Sequence, residues 1–418
     1  MSLKGRVRLL GLRTLGVGAG RLLGLLAWLP ALRPPLASGR QVAPRVLVVR
    51  PDHLGDLLLT TPALSLLRRS LPARAEITCL VGPWARPALL GNPDVDRLLS
   101  IPFPGFTRAA RRPHPLGPYL IALRYALILR RAGPFDAALI LRDDHWWGAL
   151  LVYLAGVPLR IGVRGPEAAP FLTTGLPPSQ CTGHRAEQNL TLARALLDRL
   201  GVVPASDTPA GLRAPVSPAD RAAATALLAA HGVGSGETLV ALQTGAGAAL
   251  KLWSVEAWGA VGLALARRYQ ATLVLVGSAS ERELAERVAS MISIGDPTVR
   301  CCVLAGATSW GVLAAALDRC ALVVGVDSGT MHLAVARSRP SVAIFGPVDP
   351  RLFGPWGDPE GASDRHAVVA AALPCQPCGR LDYCRLRPAG GPPPMPCLRA
   401  VTPGDVLEAA GRVMMKPC

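Results

Sequence analysis

The chain has 418 residues, half of them hydrophobic, which excludes a disordered chain and exceeds what one hydrophobic core usually organises, so two domains are expected. A formal net charge of +17 implies attraction to an anionic partner, and nucleic acid, anionic lipid and phosphorylated substrate are the candidates, among which charge alone does not choose. Only Lys4, Lys251 and Lys416 are lysines, two of them near the chain ends, so Lys251 stands alone in the interior, either through an arginine-rich coding bias or because a compact charge is needed there.

Residues 1–44 hold seven cations and no acid around an apolar stretch from Leu22 to Leu32. That stretch is too short for a transmembrane helix, which needs about 20 apolar residues. A basic helix lying in a membrane interface fits it, with a cleaved signal peptide as the alternative. From Val46 onward β-rich runs alternate with helical stretches, as in a parallel α/β sheet. Strands are predicted at Val46–Val49, Glu76–Val81, Arg97–Ile101 and Ala137–Leu141, with helices over 61–70, 84–91 and 118–132.

The first strand runs into RPDHLGDLLLTTPAL at 50–64, which puts Asp52, His53, Gly55 and Asp56 on one strand-to-helix loop. Loops at the carboxyl ends of parallel strands line the ligand crevice, and a glycine there lets the backbone approach a substrate closely. Asp56 is the acid best placed for chemistry, or else it caps the helix that follows. After the strand Ala137–Leu141 comes Arg142-Asp143-Asp144-His145-Trp146-Trp147. Arg142 and His145 suit an acidic sugar, and the tryptophans offer either stacking surface or core packing.

A Pro-rich stretch over Gly201–Pro218 reads as a linker, dividing an N-terminal Rossmann-like domain over 45–215 from a C-terminal one over 216–400. In the latter, strands are predicted at Thr238–Leu242, Thr272–Val276, Cys301–Leu304, Ala321–Val324 and Ser341–Phe345, with helices over 254–268, 280–292, 309–318 and 329–336. A last helix over 401–418, from Pro403 to Met414 with Thr402 as N-cap, is expected to pack back across the domain boundary.

Three loops of this second series suit a nucleotide. In ALVVGVDSGTMHLAVA at 321–336 a strand meets a helix at Asp327-Ser328-Gly329-Thr330, so a diphosphate could accept hydrogen bonds from the helix-start N–H groups of Ser328 through Met331, unless Asp327 or Ser328 is simply a helix cap. In VALQTGAGAALKLWSVEAW at 240–258 small residues lead to Lys251, a mobile point charge for a phosphate. Glu281, just after the strand Thr272–Val276, either meets ribose hydroxyls or is a first-turn acid favoured by the helix dipole. Neither GxxxxGK(S/T) nor GxGxxG after a strand is present, which weighs against a P-loop protein and a dinucleotide dehydrogenase.

Taken together, RPDHLGDLLLTTPAL at 50–64, AGVPLRIGV at 155–163, HRAEQNLTLARAL at 184–196, the Lys251-Leu252-Trp253 loop, VGVDSGTMHLA at 324–334 and IFGPVDP at 344–350 resemble glycosyltransferase family 9, the ADP-heptose:lipopolysaccharide heptosyltransferases and their relatives. The resemblance implies a GT-B fold, two Rossmann-like α/β domains facing across a cleft. It also implies an inverting transferase, needing no metal, that moves a sugar, heptose by the resemblance, from an ADP-sugar donor to a lipopolysaccharide-core or other lipid-linked glycan acceptor at the cytoplasmic face of the membrane. By the same resemblance Asp56 is the general base and Lys251 the cation that neutralises the diphosphate. Asp52, His53 and Gly55 then lie at the donor's edge, Asp327, Ser328, Gly329, Thr330 and His332 form the helix-start cradle, Glu281 meets the ribose, and Thr308 stands beside the adenine.

Peripheral membrane contact is expected of such a chain, and no nucleic-acid module is recognisable in it. A GT-B nucleotide-sugar epimerase or hydrolase is the alternative, and a nucleic-acid-binding protein the least favoured one. Finally, Cys375, Cys378, Cys384 and Cys397 in the Pro-rich tail are either a structural zinc site, with CxxC as its first half, or free and redox-labile thiols.

Overall fold

The computed structural model describes residues 43–106, 116–143, 145–205, 211–357, 365–386 and 394–415; the expected membrane helix or signal peptide of residues 1–42, Asp144 and part of the linker lie outside them. The chain forms two compact units. Among the described residues one gathers 43–53, 62–86 and 93–205, and the other 54–61, 87–92 and 211–415.

In the first unit six strands, β1 (Arg45–Arg50), β2 (Glu76–Val81), β3 (Arg97–Ser100), β4 (Ala137–Ile140), β5 (Leu159–Val163) and β6 (Thr174–Leu176), pair in the order β3-β2-β1-β4-β5-β6. Every pairing is parallel, with Val46 opposite Ile77 on one side and Ala137 on the other. Parallel strands are covered on both faces, so they read as unbroken apolar runs, and β1 and β2 show five consecutive buried residues each. Strand order reverses between β1 and β4, the position outside whose carboxyl ends open sheets hold ligands.

The second unit repeats this plan with β7 (Leu239–Gln243), β8 (Thr272–Val276), β9 (Cys301–Val303), β10 (Cys320–Val326), β11 (Ser341–Phe345) and β12 (His366–Ala370), in the order β12-β11-β10-β7-β8-β9. Its reversal falls between β7 and β10.

The helices, in chain order, are α1 (Leu54–Leu58), α2 (Thr61–Ser70), α3 (Gly117–Ala132), α4 (Trp146–Leu154), α5 (Arg185–Arg199), α6 (Pro218–Ala230), α7 (Val255–Tyr269), α8 (Arg282–Gly295), α9 (Trp310–Asp318), α10 (Gly329–Ala336), α11 (Pro350–Phe353), α12 (Pro396–Arg399) and α13 (Pro403–Met414). None of the described helices is long and apolar enough to cross a membrane.

Several expectations are corrected. The helix expected over 84–91 is a 3-10 turn at Arg86–Leu89, cut short as Gly91 turns with φ of 73°. β5, β6, β12, α4, α5, α6 and the one-turn α11 and α12 are not anticipated as elements. The division at residues 215 and 216 places 54–61 in the first domain, yet these residues belong to the second compact unit. The reason is packing: Leu58 and Leu59 are fully buried in the core cluster that contains Met331 and Leu333, and the Thr61 hydroxyl accepts from Arg213 N at 2.9 Å. Helix α13 carries the expected Thr402 cap, but Val406, Ala409, Ala410 and Val413 sink into the second unit's own core beside Leu265 and Val369.

Candidate active site

β10 is buried to its end at Val326, and Asp327 then turns the chain into α10. Neither polar residue of this turn acts as a cap. Ser328 holds the N-cap position without a side-chain cap bond, and its buried hydroxyl has no hydrogen-bond partner among the described residues. Asp327, 6% exposed, accepts instead from Lys251 Nζ at 2.6 Å. The first N–H groups of a helix have no acceptor within it; here Met331 N donates back to Ser328 O at 3.1 Å, and the N–H groups before it, with the Ser328 hydroxyl, can donate to an external acceptor.

Lys251 closes the 3-10 turn Ala249–Lys251 that follows β7. An ammonium carries three donors. Asp327 takes one and aims the side chain, which leaves two for other acceptors.

Beside this turn β7, a neighbour of β10, ends at Gln243, and Thr244 follows it, both buried. Gln243 Nε2 donates to Gly245 O at 2.9 Å, while its Oε1 and the Thr244 hydroxyl lack partners among the described residues. A buried polar group without a partner costs on the order of 1–3 kcal/mol, so Ser328, Gln243 and Thr244 together at two adjoining strand ends mark a place built for a polar ligand. Gln243 and Thr244 escape the sequence reading, although a glutamine closing the otherwise apolar run LVALQ is a signal for them.

Glu281 serves as the acid of a helix-start capping box. Its Oε2 accepts from Ser278 N at 2.6 Å and Ser278 Oγ at 2.8 Å, closing a capping box. The same carboxylate lies over Gly245, where a Cβ would come within 2.5 Å of its Cδ. Gly306, with φ of 78°, brings the loop that holds half-buried Thr308 against Ala279, whose Cα would lie 2.8 Å from a Cβ on that glycine. Trp310, another residue missed from sequence, follows at the start of α9; its Cη2 would lie 3.7 Å from a Cβ on Gly329, and its buried Nε1 has no partner among the described residues. An aromatic opening a helix straight after the Thr308 loop is its only trace in the sequence.

Asp56 reaches this site through two glycines. It lies half-buried in the first turn of α1, one residue after Gly55. A Cβ on Gly55 would stand 2.8 Å from Gly329 Cα and 2.9 Å from His332 Cδ2, so α1 and the start of α10 meet only because both glycines lack side chains. Replacing Gly55 by Ala is expected to destabilise the chain by about 1–3 kcal/mol, the usual range for overpacking, and to weaken donor binding; equilibrium urea unfolding together with titration of ADP checks both.

His332 is buried behind this contact, and desolvation lowers its pKa below the ordinary 6.5, against the upward pull of Asp327 and Asp56 and with a further downward push from Lys251. The imidazole is therefore neutral in the folded chain at neutral pH. Because the unfolded chain takes up this proton near pH 6.5 and the folded chain does not, the stability involved is present above that pH and lost as pH falls below it. His332→Asn is expected to flatten the fall in melting temperature between about pH 6.5 and 5, above the range in which carboxylates titrate. An unchanged slope would mean that His332 does not control it.

Asp52, His53, Arg142 and His145 lie in the first unit. Asp52, 4% exposed, pairs with Arg50 at 2.7 Å and with Arg142, so two guanidiniums meet one carboxylate at the carboxyl ends of β1 and β4. Trp84 Nε1 donates to Asp52 O at 3.0 Å, and exposed His53 has its ring 6.3 Å from that indole. Arg142 also stands over the Phe106 ring. His145 is not presented to solvent as an acidic-sugar contact requires. It is 4% exposed, with its ring 5.5 Å from Phe103 and 5.6 Å from Phe106, and Gly148 makes room for it, since a Cβ there would lie 2.3 Å from Nδ1. Trp147 is likewise core, donating to Pro118 O at 2.8 Å.

Cys375, Cys378, Cys384 and Cys397 line one cavity of about 20 Å³, with Arg380 and Tyr383 at its wall. Burial pushes the Cys397 thiol up to about 11. Among the described residues no three His, Cys, Asp or Glu side chains are grouped so as to hold a metal ion.

Compared with known proteins, residues 125–382, more than half of the chain, match the family description of glycosyltransferase family 9 (heptosyltransferase). The chain is 29% identical over 315 residues to lipopolysaccharide heptosyltransferase 3 of Escherichia coli, covering 73% of this chain and 84% of that protein. Its fold is similar to that of the glycosyl transferase family 9 protein of Veillonella parvula, with a TM-score of 0.72, 22% identity, and 90% and 98% of the two chains covered. It is similar also to ADP-heptose lps heptosyltransferase II of E. coli, with a TM-score of 0.66, 21% identity, and 89% and 98% covered. The two Rossmann-like units thus make a GT-B fold. Because the family description matches more than half of its length, the chain belongs to glycosyltransferase family 9 and is a glycosyltransferase.

Proposed function

We propose that this glycosyltransferase moves heptose from ADP-heptose to a lipopolysaccharide-core or other lipid-linked glycan acceptor, inverting the anomeric carbon. The observation that carries the reading is the seating of Asp56, through Gly55, against the start of α10, in the compact unit that also holds Lys251, Asp327 and the unpartnered Ser328 hydroxyl. An acid and an anion cradle brought together are what one-step displacement of a diphosphate requires. Asp56 takes the proton of the acceptor hydroxyl as that oxygen bonds to the anomeric carbon; on the opposite face the bond from that carbon to the diphosphate oxygen breaks, and ADP leaves with the electron pair. A carboxylate is ionised at neutral pH and ready to accept. Charge growing on the departing diphosphate meets Lys251, the first N–H groups of α10 and the Ser328 and Thr330 hydroxyls, a donor set already fixed in place before reaction.

Glu281, with Thr308 in the adjoining loop, is assigned to the nucleoside, and Asp52 and His53 to the donor's edge. Arg142 is assigned to the acceptor. A lipid-linked acceptor would place the work at the cytoplasmic face of the membrane. Zinc at the four thiols is a question of metal content, answered by elemental analysis of the purified chain, and no step of transfer is routed through it. Competition binding with ADP-, UDP- and GDP-sugars tests the donor: ADP-heptose is expected to bind about tenfold or more tighter than the UDP and GDP sugars, and equal binding of all three removes the adenine assignment.

A further inference from the structure

Helix α3 carries an outer face that transfer chemistry does not use. Its inner side, Ala122, Ala126 and Leu129, is buried in the first unit's core. On the other side Leu116, Leu120, Leu127 and Ile128 are 56%, 65%, 48% and 43% exposed, and Arg124 and Arg131 are exposed among them. With 3.6 residues per turn these six side chains fan over an arc of about 120°. They therefore form one continuous stripe, and exposed leucines gathered in a stripe mark an interaction surface in a way that scattered ones do not.

We propose that this face of α3 docks the enzyme on an anionic lipid surface. Four aliphatic side chains interleaved with arginines form an interfacial helix, in which the aliphatic groups enter the headgroup region and the guanidiniums reach lipid phosphates. Charge decides the occupant. The chain has no Asp or Glu between Asp96 and Asp136, so α3 itself offers no carboxylate to a basic partner, and the nearby Glu167 acts on Tyr119 in its first turn, outside the stripe. A second copy docked face to face would set Arg124 and Arg131 against like charges. The basic residues 1–44, which contain no acid, would do the same.

The docking face adds a membrane seat to the transferase reading without depending on it, because vesicle binding is measured with neither donor nor acceptor present. The test is sedimentation of the full chain with phosphatidylethanolamine vesicles containing about 30% phosphatidylglycerol, against phosphatidylcholine vesicles, at about 0.1 M salt. Binding is expected to the anionic vesicles only and to fall as salt rises. The double variant L120Q/L127Q is expected to lower the partition coefficient about tenfold or more. R124Q/R131Q is expected to lower it about 25-fold, near fivefold per arginine. All four side chains are exposed, so both variants should keep the parent melting temperature and ADP affinity. The proposal is overturned if the parent chain ignores anionic vesicles, if both variants bind as the parent does, which would move the contact elsewhere on the chain, or if L120Q/L127Q turns a dimer into a monomer in the absence of lipid.

Discussion

Asp56→Asn is expected to lower the turnover number for transfer by about 10²–10⁴-fold, the range lost when a positioned general base is removed, while the dissociation constant for ADP stays within about threefold of the parent value. The amide keeps the shape of the carboxylate, so Gly55 still seats against Gly329 and the start of α10 is undisturbed. What is lost is the acceptor for the proton. Asp56 lies beside the cradle without being one of its donors, and this separates its effect from that of a binding residue. Rapid-quench measurement of a single turnover with saturating donor isolates the chemical step. Unchanged turnover would remove the base, and a parallel loss of ADP affinity would make Asp56 a binding residue instead.

Lys251→Ala combines two losses, and each has its own readout. Lys251 and Asp327 form an ion pair at 2.6 Å in which the carboxylate is nearly inaccessible, so deleting the ammonium strands a buried charge. A loss of stability of up to about 3–5 kcal/mol is therefore expected, the range for a broken buried pair, with the lower part more apt because Lys251 keeps some solvent contact. Loss of the cation also removes stabilisation of the leaving diphosphate, for which a fall of about 10²–10³-fold in turnover is expected. The double variant K251A/D327N relieves the stranded charge, so stability should return while donor affinity and turnover stay low. Recovery of turnover along with stability would show that Lys251 only holds the fold.

Much of the architecture is legible in the sequence because parallel strands buried on both faces read as plain apolar runs. VLVV in β1, TLVLV in β8 and the run before Asp327 in β10 are such cases. The missed elements lack that signal for identifiable reasons. β6 is three residues long, and β5 has Arg160 and Gly162 within it. Helix α4 is apolar nearly all round, and α6 is alanine-rich with only Ala224 and Leu228 buried, so neither shows an amphipathic stripe.

The candidate site divides in the same way. Helix-start and Gly-rich loops are local, and Asp327–His332 and the turn before Lys251 can be read as they stand. Long-range pairing cannot. Nothing local shows that Asp327 takes a donor from Lys251 rather than capping α10, or that two glycines far apart in sequence bring α1 to α10. Nor does anything local show that His145 turns inward against Phe103 or that Asp52 is already held by two arginines. Such partners are chosen by tertiary packing.

The most direct measurement is release of ADP from ADP-heptose by the purified chain, followed with and without a heptose-accepting lipopolysaccharide core. Asp56 activates an acceptor hydroxyl, so release is expected only when the acceptor is present, in step with the heptose transferred and lost in Asp56→Asn. Equal release without acceptor, or conversion of the donor to another nucleotide-sugar, would contradict transfer and point to a hydrolase or an epimerase.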